Sequence, residues 1–184
     1  MAVSTIGIAV FLAGSAAIAF ISRRSLRNVH SHGFYRFFAW EILFGMFLLN
    51  INGWFHDPWA WHQLISWILL ILSVPQVLIG LGLLRRAGKQ GRDDPALLGL
   101  EKTSSLVTAG LYRYIRHPLY SSLLFLGWGL FFKSPSWLEA GLSLLCTFFL
   151  VITARIEEGE NIAYFGDDYI EYMKHSKMFI PFIL

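Results

Sequence analysis

Two short stretches hold most of the residue types able to do chemistry. In Leu106-Val-Thr-Ala-Gly-Leu-Tyr-Arg-Tyr-Ile-Arg-His-Pro-Leu-Tyr120, Arg116 and His117 stand directly before Pro118. Proline is favoured at the first helical position, where its missing N–H costs no hydrogen bond. A helix is therefore expected to start at Pro118 with His117 at its cap. Such a start presents free backbone N–H groups and the positive end of the helix dipole, a ready anion site. The second stretch, Arg155-Ile-Glu-Glu158, sets two carboxylates side by side, with Asn161 one helical turn beyond them. The plainer readings are an interfacial helix start with basic anchors and a solvated acidic pair at a helix end. Acidic residues at a helix C-terminus oppose the dipole, which favours a functional role for the pair. Tyr164, Tyr169 and Tyr172 read as interfacial or packing residues.

The elements that would position these groups are apolar and long. Of 184 residues, 55% are hydrophobic and only 15% charged. That is more apolar surface than a soluble core can bury, so the bilayer must act as part of the solvent. Five apolar segments stand out: Val3–Ser22, about Phe34–Phe55, Leu64–Leu84 with Pro75 as an expected kink, Pro118–Phe132, and Trp137–Ala154. Val3–Ser22 lacks a basic leader, and Arg23–Arg24 follow it, so it reads as a retained helix and not a signal peptide. Its Gly7, Ala13, Gly14, Ala16 and Ala17 suit close helix packing. Lys133-Ser134-Pro135-Ser136 would turn the last two segments into a hairpin, returning Pro118 and Glu157 to similar depth.

The expected fold is all-α, a polytopic membrane protein with about five transmembrane helices. Residues 1–84 would form three spans on the acceptor side. Residues 85–184 would form a polar loop, Arg85–Thr103, then the hairpin and a mixed tail, Arg155–Leu184. Basic residues give the orientation. Arg23, Arg24, Arg27 and Arg36 follow the first span. Arg85, Arg86, Lys89, Arg92, Lys102, Arg113 and Arg116 follow the third, and Arg155, Lys174 and Lys177 lie in the tail. Alternation puts these on one face, with Lys133 the exception; the positive-inside rule makes that face cytoplasmic and the N-terminus external.

Glu41 lies inside an apolar span and is a candidate substrate-binding residue, since intramembrane carboxylates are functional by default. Pairing with Arg36 or snorkelling is its plainer role. Asn50 and Asn52 suit hydrogen bonds between helices. The lone Cys146 excludes an internal disulfide, and the histidines lack ligand spacing, so no metal is expected; nor is a nucleic-acid partner.

The two stretches together resemble the signatures of the isoprenylcysteine carboxyl methyltransferase and phospholipid methyltransferase superfamily. These are L-V-T-x-G-P-Y-R-x-x-R-H-P-x-Y-x-G, then E-E-x-x-L-x-x-x-F-G-x-x-Y-x-x-Y with a late proline, here Pro181. Order and spacing agree from Leu106 to Pro181. Leu111, Ser122 and Asn161 depart from the pattern. Gly80-Leu-Gly82 is similar to a glycine pair of phospholipid methyltransferases, a weaker match.

The resemblance implies S-adenosylmethionine as cofactor. It also implies a cofactor-binding set of Leu106, Val107, Gly110, Tyr112, Arg116, His117, Tyr120, Glu157, Glu158 and Asn161. The cofactor carboxylate would face the helix start at Pro118, and its ammonium or ribose hydroxyls would face the two glutamates. The implied reaction is carboxyl O-methylation of an isoprenylcysteine-like group on a lipid or lipidated acceptor entering from the bilayer. A carboxylate acceptor is already ionised, so no catalytic base is assigned. Alternatives are phospholipid head-group N-methylation, an NADPH-dependent membrane reductase, or a channel, transporter or assembly factor. Motif polar residues at one membrane face argue against transport, whose sites lie near the midplane. The oligomeric state stays open.

Overall fold

Apolar runs form helices in a bilayer because every backbone N–H and C=O must be satisfied within the chain. The computed structural model describes residues 5–87, 91–92, 97–99 and 101–182. Val3, Ser4, Lys89 and Leu184 lie outside these, and the polar stretch Arg85–Thr103 is described only in part. The helices are α1 (Thr5–Ser22), α2 (His32–Asn50), α3 (Trp61–Ala87), α4 (Pro118–Phe131), α5 (Trp137–Phe165) and α6 (Asp167–His175). Short 3-10 turns occur at Ser25–Arg27, Ile51–Gly53 and Gly110–Arg113. No strand occurs among the described residues; a single isolated bridge pairs Ile115 with Lys177.

Four helical stretches are long and apolar enough to cross a membrane: Thr5–Ser22, His32–Gly53, Trp61–Arg86 and Trp137–Phe165. The fifth expected span is shorter. Helix α4 has 14 residues, about 21 Å at 1.5 Å per residue, against roughly 30 Å of hydrocarbon. Its start is as expected, with Pro118 in the first turn and His117 at the cap.

Helix α5 departs from expectation in the other direction. It does not stop at Ala154 but runs on to Phe165. The charges after Ala154 mark where the helix leaves the apolar region, not where it ends. Glu157 and Glu158 therefore sit about two turns inside the helix, and the dipole argument for an acidic pair at its terminus does not apply. Gly166 ends α5 at φ +62° and opens directly into α6. Any other residue would be strained there. At Gly110, φ is +60°, so conformation favours glycine, and an added Cβ would press on the Leu83 side chain of α3, 2.9 Å from its Cδ1.

Helix α2 packs on α5, and α3 packs on α4. Ala39, Leu43 and Met46 of α2 meet Tyr120 and Leu130 of α4 and Leu150 of α5 in one buried core. On the outer side, Gly14 of α1 receives the Phe44 ring, which fills the space its Cβ would take. Asn50 does bridge helices as expected, donating from Nδ2 to Glu139 Oε1 at 3.0 Å.

Two basic residues read as loop charges are internal. Lys133 is 2% exposed. Its Nζ donates to Gln63 Oε1 at 2.9 Å and to the Trp54 carbonyl at 3.3 Å, and lies 3.5 Å from the centre of the Trp67 ring. A desolvated cation over an indole face is a stable pairing, so the one exception in the charge count is not a surface charge. Arg36 belongs to α2, not to the loop before it, and is also buried.

The segment after α6 closes the structure. Arg116 and His117 donate backbone N–H groups to the carbonyls of Lys177 and Met178, at 2.7 and 3.1 Å. Ser121 Oγ donates to the Phe179 carbonyl at 2.8 Å. The start of α4 is thus held from outside by residues 177–179.

Candidate functional site

A cavity of about 280 Å³ opens where α4 begins. One wall is apolar and comes from α3: Val77, Leu81 and Leu84. The opposite wall is polar, built from the start of α4, the inner part of α5 and the phenols of α6. Leu98, Glu101, Thr103, Ser105, Leu106 and Val107 add to the lining.

The polar wall is a connected network. The Tyr120 hydroxyl donates to Glu157 Oε2. The His117 ring stacks on Tyr120, centroids 5.4 Å apart and 17° between planes. Its Nδ1 lies 3.9 Å from Glu157 Oε1 and its Nε2 lies 3.4 Å from Glu158 Oε1. Arg116 Nε donates to Glu158 Oε1 at 2.6 Å, with both side chains 9% exposed. Arg116 Nη1 donates to the carbonyls of Met173 and Ser176. Helix α6 is tied in by the Tyr172 hydroxyl, which donates to the Tyr112 carbonyl at 2.6 Å. Burial raises the phenols of Tyr112, Tyr169 and Tyr172 above the ordinary tyrosine value. They stay protonated; the Tyr172 hydrogen is already committed to the Tyr112 carbonyl, whereas Tyr112 and Tyr169 can donate to a guest.

All the residues predicted to bind cofactor line this cavity except Gly110 and Glu158. Gly110 shapes the turn that delivers Tyr112. Glu158 stands behind the wall, where it neutralises Arg116 and backs His117. Arg116, expected beside an anion site at the helix start, is paired with Glu158 and with tail carbonyls. Asn161 does not bond to the glutamates; its Oδ1 accepts from Arg92 Nη1 at 3.0 Å. Glu41 is elsewhere, accepting from Ser15 Oγ at 2.6 Å on the α1 side of α2, outside the cavity lining and unpaired with Arg36.

Residues 63–168 match the phospholipid methyltransferase family, more than half of the chain and most of the cavity wall, though not Arg36, Trp40, Tyr169 or Tyr172. The chain belongs to this family. A stretch of 79 residues is 34% identical to the methanethiol S-methyltransferase of Crocosphaera subtropica (strain ATCC 51142 / BH68). The matched stretch covers 41% of this chain and 29% of that protein, so the chain spans well under two thirds of its relative's length. No solved structure matches.

Within this phospholipid methyltransferase family member, the matched region includes both motif stretches, and the fold joins them through Tyr120–Glu157 and Arg116–Glu158. Among the cavity residues that sequence reasoning did not single out, four carry charged or phenolic side chains. Tyr169 and Tyr172, read as packing residues, line it from α6; their place in the tyrosine repeat after Gly166 was the available signal. Arg36 and Glu101 also line it, joined in an ion pair. Neither belongs to a motif, and they come from an early helix and a polar loop far apart in the chain. Their spacing carries no signal.

Proposed function

We propose that this chain is an S-adenosylmethionine-dependent membrane methyltransferase whose cofactor occupies the cavity at the start of α4. The observation that supports this most is the split character of the cavity. The network of Tyr120, Glu157 and His117 faces the apolar wall of Val77, Leu81 and Leu84 across a space of about 280 Å³. Small-ligand sites are mostly apolar with a few placed polar groups.

The charges suit this guest. Leaving His117 aside, the carboxylates Glu101, Glu157 and Glu158 outnumber the guanidiniums Arg36 and Arg116 by one around the cavity. The cofactor carries a sulfonium, an ammonium and a carboxylate, a net single positive charge. Bound there, it supplies a methyl group on a positive sulfur, which keeps the electron pair as the methyl passes to a nucleophile. The protein's own part is to align the reactants and keep water out. Glu157, held by the Tyr120 hydroxyl, offers its other oxygen to a cation. Leu106 and Val107, together with α3, exclude solvent.

The acceptor in this reading arrives from the bilayer, past α3. A carboxylate, as in an isoprenylcysteine-like group, is the leading acceptor because it needs no base. The family description favours a phospholipid amine as a second reading, and the Crocosphaera relative favours a thiol. In the same reading the chain crosses the membrane five times, α4 and α5 form a hairpin, the N-terminus lies outside and the cavity is cytoplasmic. Moving Lys133 indoors supports that orientation.

Membranes containing the protein and methyl-labelled S-adenosylmethionine test the reaction. Label is expected in lipid-extractable material, as a base-labile ester for a carboxyl acceptor. A stable lipid amine or a thioether would assign the second readings. Absence of transfer above membranes lacking the protein would contradict the enzyme.

A further inference from the structure

Arg36 carries donor nitrogens that have no hydrogen-bond partner among the described residues. It is 2% exposed and lines the cavity. Nη1 is committed, in an ion pair with Glu101 and 3.5 Å from His32 Nε2. Nε and Nη2 are buried without a hydrogen-bond partner among the described residues. Leaving buried charged donors unmatched is costly. The Trp40 ring lies against the group, its centre 4.9 Å from the guanidinium carbon.

The two unused nitrogens share one edge of the guanidinium. That edge matches a carboxylate through two parallel N–H···O bonds, which a single ammonium cannot reproduce. Arg116, by contrast, has Nε on Glu158 and Nη1 on backbone carbonyls. An anion at the start of α4 would find Arg116 already neutralised and would meet a glutamate beside it.

We propose that the Nε–Nη2 edge of Arg36 binds the carboxylate at the amino-acid end of the cofactor. The assignment rests on the methyltransferase reading and deepens it. Its second support is the position of Tyr120, whose phenol donates to Glu157 and also lies against Arg36. A carboxylate that takes ammonium groups and a guanidinium that takes carboxylates thus flank a single side chain. An α-amino acid carries both of its charges on one carbon, so the pair fits it as a unit.

The test compares two nucleosides on the full-length protein in detergent. S-adenosylhomocysteine carries the amino acid; 5′-methylthioadenosine lacks it. Arg36→Gln is expected to weaken S-adenosylhomocysteine roughly ten- to a hundredfold and to leave methylthioadenosine as in the wild type. Arg36→Lys keeps the charge but loses the fork, and is expected to fall between; it carries the test if Arg36→Gln does not purify. Equal weakening of both nucleosides would make Arg36 a structural residue and overturn the proposal. Unchanged S-adenosylhomocysteine affinity with lost methyl transfer would move the edge to an acceptor carboxylate and also overturn it. A wild type that binds neither nucleoside would overturn the methyltransferase reading itself.

Discussion

Glu158→Gln is expected to destabilise the purified protein by about 3–5 kcal/mol, read as a large fall in melting temperature, because it strands a buried arginine. Arg116 and Glu158 are each 9% exposed and joined at 2.6 Å. Glutamine removes the counter-charge while the Met173 and Ser176 carbonyls still hold the guanidinium in place. The residues after α6 should loosen with it, since Arg116 also receives that segment through its backbone N–H. A loss below 1 kcal/mol would place the pair among weak surface ion pairs and contradict this account. The motif alone suggested a ligand residue at this position; in the fold it pairs with Arg116 and does not line the cavity.

Glu157→Gln should behave in the opposite way. Glu157 lines the cavity and is held by Tyr120, not by a buried cation. Losing a hydrogen bond to a charged group costs about 1.5–3 kcal/mol. Affinity for S-adenosylhomocysteine is therefore expected to fall about ten- to a hundredfold, with the melting temperature of the unliganded protein nearly unchanged. Tyr120→Phe should cost part of the same affinity, because the phenol aims the carboxylate. The double variant should lose less than the sum of the two, since both break one hydrogen bond. Binding titrations on the three variants check this. Additive losses would show that Tyr120 and Glu157 act separately.

Much of the site was legible because its chemistry is local in sequence. Pro118 announces a helix start, and Glu157 lies at matching depth when counted out from the turn before α5. The structure joins Tyr120 to Glu157 as that count implies. What stayed hidden depends on packing. Hydropathy stops at Ala154, where charges begin, yet hydrogen bonding carries α5 on to Phe165. Lys133 looks like a loop charge until Trp54, Trp67 and Gln63 close around it. Arg36 looks like a loop charge after the first span, and only the folded chain brings Glu101 and Trp40 to it. Apolar periodicity locates helices, but the partner of a buried charge is set by tertiary contacts with no fixed spacing.

The central claim is that the cavity at the start of α4 holds the methyl donor. Calorimetric titration of the purified wild-type protein with S-adenosylhomocysteine, alongside NADPH, tests it most directly. Saturable one-site binding of the nucleoside is predicted, lost or strongly weakened in Glu157→Gln, with no response to NADPH. A protein that ignores S-adenosylhomocysteine, or binds it equally well after Glu157→Gln, would contradict the account.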